Sequence, residues 1–257
     1  MKIQVLISTM NMKNAFFLLE KMNIQCDALV GNQTNFNSIE SFKWKNHSIK
    51  TFNFSEKGVG LNRNNTLMRA DADICIFADD DLKYCDGYVK MIESYFKKYP
   101  DADVLIFNLL EKNVRRPVIK KVQRVHFWNF LRYGTARMVV KNKSVKREGI
   151  LFNQTFGGGT EHCHGEDNLF LADCLKKKLV VYAIPEYLAQ LEENRESTWD
   201  NGDTFKYLSD QGILYYVLTK KYWRLLCLQD AIRHSRDYKM SWIKAYRIMI
   251  KGKTEGN

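Results

Sequence analysis

The sequence predicts an α/β fold: a mostly parallel central sheet flanked by helices, with a helical extension at the C-terminus. Three observations lead there. Short apolar runs alternate with helix-spaced segments from the N-terminus to about residue 110. The connections between them are short, as in sheets whose strands are joined by packed helices. The last fifty or so residues carry helical spacing and no strand pattern.

Ile3 to Ile7 is the first buried strand and ends on Ser8-Thr9-Met10-Asn11. Phe16, Phe17, Leu19 and Met22 mark a helix over 13–22. Asp27-Ala28-Leu29-Val30-Gly31 is a second strand, closing at Asn32-Gln33, and Ile49 to Phe54 a third. A helix from about Gly60 to Arg69 leads to a fourth strand, Asp73 to Ala78. Another helix, Gly87 to Lys98, stops before Pro100, and strand Val104 to Leu110 follows. The stretch 111–160 is less regular, with one strand at Arg137 to Lys141. Phe156-Gly157-Gly158-Gly159-Thr160 must be a loop, since three glycines give a regular element nothing to hold. A helix from about Asp167 to Lys178 ends in lysines, which suit a helix C-terminus. Leu179 to Ile184 is a last strand, closed by Pro185, and helices over 203–218, 221–234 and 240–251 complete the chain.

Composition bounds the reading. The chain has 257 residues, 45% of them apolar, enough for one sizeable core or one domain with an appendage. Three prolines leave no Pro-rich linker. The six cysteines form no C-x-x-C pair and read as reduced thiols of a cytoplasmic protein. The N-terminal apolar run is too short for a secretion signal, and no stretch is long and apolar enough to cross a membrane. The net charge of +11 predicts an anionic partner. That charge is uneven: ten basic residues between Lys220 and Lys253 face only Asp230 and Asp237. Interleaved with Tyr222, Trp223, Leu225, Trp242, Ile243 and Ile250, they make a basic amphipathic tail. It could lie on an anionic membrane face or pack on the domain with its basic side in water.

Asp79-Asp80-Asp81 carries the chemistry. Ligands of open α/β sheets bind beyond the carboxyl ends of the strands. If strand geometry continues one step, Asp79 and Asp81 point the same way and Asp80 the other, so Asp80 should tolerate replacement. Converging carboxylates repel unless a cation lies between them, and Mn²⁺ or Mg²⁺ suits oxygen ligands and a diphosphate. The plain alternative is an acidic turn. Glu166-Asp167, after Gly165, opens a helix; it is either a cap for free backbone N–H groups or a general base at a pocket rim.

These segments resemble glycosyltransferase family 2, bacterial enzymes with the Rossmann-like GT-A fold that build capsular and other surface polysaccharides. The matching pieces are Val5-Leu6-Ile7-Ser8-Thr9, Gly58 to Asn64 (a G-x-x-x-x-R-N segment), Phe77-Ala78-Asp79-Asp80-Asp81, and Phe156 to Thr160 with Gly165-Glu166-Asp167. Ser197-Thr198-Trp199 resembles a segment of some capsular members. The resemblance spans about residues 1–215, taken as the catalytic domain, with 216–257 as the tail. It implies a nucleotide-sugar donor, a UDP-sugar first. Asp79 and its neighbour Asp80 would lie on the donor, and Asp81 with Asp79 would hold the metal. Thr9, Asn32, Gln33 and Arg63 would lie near the nucleotide. Asp167 would be the base, Glu166 the runner-up, and the glycine loop would admit a glycan or lipid-linked oligosaccharide acceptor. Transfer would invert the anomeric centre, at the inner face of the cell membrane if the tail binds it.

One departure from the family is the absence of His in Tyr187 to Glu193, where relatives often place a metal or diphosphate ligand. His162 and His164 read instead as solvent-exposed members of a variable loop; with Cys163 and Cys174 their spacing fits no zinc pattern. Competing readings are a nucleotidyltransferase, which would carry a glycine- and base-rich signature after the first strand, and a nucleic-acid binder. Neither signature is present, and no nucleic-acid partner is expected. An inactive relative within an assembly complex is the third alternative.

Overall fold

The computed structural model describes residues 1–112, 117–192 and 203–255. Its strands are β1 (Ile3–Met10), β2 (Asp27–Gln33), β3 (Ser38–Trp44), β4 (His47–Phe54), β5 (Ile74–Asp79), β6 (Leu82–Tyr84), β7 (Val104–Leu110), β8 (Gln123–Arg124), β9 (Met138–Lys141) and β10 (Val181–Leu191). The helices are α1 (Ala15–Lys21), α2 (Val59–Arg69), α3 (Tyr88–Lys98), α4 (Asn142–Arg147), α5 (Glu166–Lys176), α6 (Thr204–Leu218), α7 (Trp223–His234) and α8 (Trp242–Glu255).

The expected α/β architecture is present, built on one sheet in the order β3-β4-β2-β1-β5-β9-β7-β10-β6, with β8 beside β10. β4, β2, β1 and β5 run parallel to one another, as do β7 and β10. The sheet as a whole is mixed, because β9 is inserted antiparallel between β5 and β7. β1 lies at the centre, paired on both sides, so its side chains are buried on both faces and its sequence is almost continuously apolar. Alternation along the strands sorts the core in two. Val5 and Ile7 pack with Leu18 and Leu19 of α1, Met22 just after it, and Ile92 and Phe96 of α3. Leu6 and Phe77 face Leu67 of α2, Val145 of α4, and Phe170 and Cys174 of α5 on the other side.

Three local readings need correction. The segment between the second and third expected strands is itself a strand: β3 pairs antiparallel with β4 through a turn at Lys45-Asn46, both with positive φ. That is the backbone of a tight hairpin turn, but without the usual Asn-Gly pair to announce it. The last strand does not stop at Pro185 but continues to Leu191; the register against β7 shifts between Ala183 and Tyr187, where a residue lacking an N–H is tolerated. Alternation does not carry past Asp79, because β5 ends there and Asp80-Asp81 form a turn into β6.

Helices α6, α7 and α8 share a separate small core of Leu208, Tyr215, Trp223, Cys227, Ala231, Ala245 and Met249. Within it the carboxylate of Asp230 accepts hydrogen bonds from Tyr215 (2.5 Å) and Tyr238 (2.6 Å), which satisfies a buried acid in an otherwise apolar bundle. The expected domain boundary near residue 215 falls inside α6. That helix also reaches the sheet domain, where Leu214 packs on Phe156 and Leu169. All six cysteines are unpaired. Among the described residues no helix is long and apolar enough to cross a membrane. Ser197-Thr198-Trp199 and Glu193 lie outside the described residues.

Candidate active site

At the carboxyl ends of β1, β2 and β5 the register places Ser8 beside Asp79 and Thr9 beside Asn32. Arg63, projecting from α2, draws the acidic residues of distant segments together. One of its terminal nitrogens donates to Glu166 (2.9 Å) and Asp167 (3.1 Å) at the start of α5. The other donates to both oxygens of Asp79, at 2.9 and 3.2 Å. The guanidinium lies 5.4 Å above the ring of Phe152. Phe152 in turn stacks on Phe170 of α5 and meets Phe77 of β5 edge-on, at 4.3 and 5.0 Å between ring centres. An aromatic floor from three segments thus fixes the planar fork of the arginine, the geometry that paired carboxylate recognition needs.

One cation among three carboxylates leaves surplus negative charge. Burial works to lower the Arg63 pKa, but Asp79, Asp167 and Glu166 outweigh it and the net shift is upward, so the guanidinium is permanently charged. Glu166 is pushed up to about 7, first by burial and then by the charge of Asp167, with Arg63 opposing. Its proton is therefore held more tightly in the folded chain than in the unfolded one. Folding stability is unaffected by Glu166 below its ordinary pKa near 4.5, declines as pH rises from there to about 7, and stays reduced above. Glu166→Gln is expected to melt higher than the wild type at pH 8 and to lose that advantage at pH 4.5; thermal melts across this range check it.

Asp167 differs from its neighbour. Its side chain is 29% exposed against 11% for Glu166. The Thr135 backbone N–H donates to its Oδ2 at 2.9 Å, and the Thr135 hydroxyl donates to Oδ1. The carboxylate is thereby oriented while keeping access to a ligand.

The other expected residues are placed as follows. The Thr9 hydroxyl donates to Asp80 at 2.5 Å. Asp80, expected to point away and tolerate change, is thus tied to the end of β1. The Asp81 carbonyl accepts from the Glu192 N–H at 2.8 Å, which pins the turn against the end of β10. Asn32 is buried, with its amide bridging the Met12 backbone and Asn53, and the Gln33 side-chain Oε1 accepts from Gly58 N–H at 2.8 Å. Both build the wall around the strand ends. Gly157 has φ of +103°, and a Cβ there would come within 2.7 Å of the Glu166 carboxyl carbon and of Val59. Glycine is required at that position by Glu166 itself.

The histidines correct their sequence reading. His162 Nδ1 lies 3.0 Å from Asp210 Oδ1, and His164 Nε2 lies 2.6 Å from Gln211 Oε1, both partners on α6. Asp210 is fully buried and also accepts from Lys206 and from the Cys163 N–H. The segment after the glycine loop is therefore clamped to α6 rather than free in solvent. Burial shifts the His164 pKa downward, against the pull of Gln211. Thr135 and Asp210 were not singled out in the sequence. Asp210 sits among Ser209, Gln211 and Gly212 in a helical segment and Thr135 in the patternless middle, so neither carried a signal.

Among the described residues no group of three or more His, Cys, Asp or Glu side chains is arranged to hold a metal. The donor set at the β5 end nevertheless suits a hard divalent cation. It is made of carboxylate oxygens, the donor type such a cation takes, and Arg63 already engages Asp79 there.

This fold is that of GT-A-like glycosyltransferases. S. aureus TarS, crystallised with UDP-GlcNAc, superposes with a TM-score of 0.67 at 13% identity, over 100% of this chain and 93% of that one. The mannosyltransferase PcManGT of Pyrobaculum calidifontis, in complex with GDP-Man and Mn²⁺, superposes with a TM-score of 0.58 at 11% identity, over 99% and 86%. No protein-family model matches the chain, and no curated protein sequence does.

Proposed function

We propose that this chain is an inverting glycosyltransferase. It would move a sugar from a nucleoside-diphosphate donor, a UDP-sugar in the first instance, to a hydroxyl of a glycan or lipid-linked acceptor in surface polysaccharide synthesis. The observation that carries the reading is the Arg63 hub, which gathers Asp79 at a strand end with Glu166 and Asp167 at a helix start. The fold neighbours bound to UDP-GlcNAc and GDP-Man support the donor class.

In this reading Asp79 and Asp80 line the donor and Asp81 is the principal metal ligand. Thr9, Asn32, Gln33 and Arg63 shape the nucleotide side. Asp167, oriented by Thr135, takes the proton of the acceptor hydroxyl. The freed oxygen forms its bond to the anomeric carbon from the face opposite the diphosphate. The anomeric carbon–oxygen bond breaks, and its electron pair leaves with the nucleoside diphosphate. Mn²⁺ or Mg²⁺, when bound, supplies charge that offsets the departing diphosphate. Glu166, buried and partly protonated near neutrality, serves the cluster's charge balance rather than proton transfer.

Residues 1–215 form the catalytic unit in this reading and 216–257 a tail for the inner face of a membrane. Leu225, Ile232, Trp242 and Ile243 are exposed on α7 and α8 among basic residues, while Asp230 is buried, so the outward charge is almost wholly positive.

Calorimetric titration of UDP and GDP tests the metal part of the reading. Mn²⁺ should tighten nucleotide binding, chelator should reverse this, and Asp81→Ala should remove the Mn²⁺ effect, weakening metal-supported binding by about tenfold or more. Mn²⁺-independent binding that Asp81→Ala leaves unchanged would reject the assignment.

A further inference from the structure

Between β8 and Thr135 the chain exposes a group of apolar rings that the site above does not use. Trp128 is 78% exposed, Phe127 53% and Leu131 37%. Large apolar groups held in water without a core to serve mark contact surfaces when they cluster. This cluster is rigidly built. The Trp128 ring stacks on His126, with centres 4.2 Å apart and planes 18° from parallel. Phe127 meets the buried Phe130 edge-on. The Asn129 side chain accepts from the His126 N–H at 2.8 Å and donates to the Arg124 carbonyl at 3.4 Å, closing the turn.

The same segment is continuous with the proposed base. The Leu131 carbonyl accepts from Asn168, the residue after Asp167, at 3.3 Å. Thr135, four residues further on, holds Asp167 itself. Trp128 is three residues from Leu131, a chain span of about 11 Å at most. One short stretch of chain thus carries Trp128 and positions Asp167.

We propose that Trp128 and its turn form an acceptor platform, on which the apolar face of a pyranose ring of a glycan acceptor stacks. The proposal rests on the glycosyl-transfer reading. One face of the indole is taken up by His126, leaving the other flat apolar face beside the polar edge of His126. A pyranose ring offers the matching pattern, C–H groups on one face and hydroxyls at the rim. A rigid aromatic supplies contact area with few rotamers to freeze. The longer surface suited to a bilayer lies on α7 and α8, where exposed apolar and basic side chains are mixed over two helices.

The test is retention on an array of pyranose oligosaccharides by the wild type and by Trp128→Ala, Trp128→Phe and Trp128→Leu, with pelleting on phosphatidylglycerol vesicles beside it. The wild type should retain a subset of glycans. Alanine and leucine should weaken that retention by about tenfold or more, while phenylalanine, which keeps a flat ring, preserves most of it. Should the alanine protein melt early, the contrast between leucine and phenylalanine decides. Vesicle binding should be equal in all four. A wild type that retains no glycan, or an alanine and a leucine variant that retain glycans as the wild type does, overturns the platform. So does loss of vesicle binding in Trp128→Ala with glycan retention intact, which would assign the rings to lipid. Release of UDP from UDP-GlcNAc by the wild type reads the parent proposal separately. Glycan retention without turnover of any nucleotide sugar rejects transfer and keeps the platform; turnover without retention does the reverse.

Discussion

Asp167→Asn is expected to bind donor nucleotide as the wild type does and to transfer sugar about a hundredfold to ten-thousandfold more slowly, the range that a positioned general base contributes. Asparagine keeps the shape of the side chain and an acceptor oxygen for Arg63 and the Thr135 hydroxyl, losing only the hydrogen bond from the Thr135 N–H. It has no basicity with which to take the acceptor proton. Glu166 stands next to it but is a poor substitute, because its side chain is 11% exposed and held by Arg63. Transfer rates at saturating donor, together with nucleotide affinities, separate the two effects. Normal transfer by Asp167→Asn with loss in Glu166→Gln would move the base to Glu166.

Arg63→Met is expected to lose about 3–5 kcal/mol of folding stability, the cost of stripping the partner from buried charge. The arginine side chain is 6% exposed and bridges three carboxylates that would then face one another uncompensated. Asp79 and Asp167 retain some water, which places the loss toward the lower end. Arg63→Lys should recover only part of it, because a point charge cannot span Asp79 on one side and Glu166 with Asp167 on the other. Denaturant unfolding of the three proteins measures both effects. A methionine variant as stable as the wild type would show that the cluster relieves its charge in some other way.

The first half of the fold was legible because its signals are local. β1, β2, β5 and β7 are short apolar runs, and α2 and α3 fill the gaps between them with helical spacing. What was missed depends on partners far away in sequence. β3 is an exposed edge strand carrying Glu40 and Lys43, recognisable only by its pairing with β4. Its charges discourage edge-to-edge association, and they also hide the strand from an apolarity reading. β10 passes Pro185 because β7 on one side absorbs the register shift. β9 was legible as a strand but not as the antiparallel insertion between β5 and β7.

The site divides in the same way. Asp79, Glu166 and Asp167 were recognisable as acids at element ends and Arg63 through the G-x-x-x-x-R-N segment, and the structure brings them together. Their arrangement was not legible: nothing in the sequence says that the Arg63 guanidinium bridges Asp79, Glu166 and Asp167. Asp80 was expected to be dispensable, yet it takes the Thr9 hydroxyl. His162 and His164 looked like loop residues because their partners, Asp210 and Gln211, lie almost fifty positions away on α6.

The most direct test is a screen for nucleoside diphosphate or monophosphate release from UDP-, GDP- and CMP-sugars by the wild-type chain, with Mn²⁺, with Mg²⁺ and with chelator. The Arg63-centred cluster as a donor site predicts release from at least one diphosphate sugar, UDP-linked first, supported by the metal and suppressed by chelator. No release from any donor under any of these conditions, by a folded protein, would contradict it.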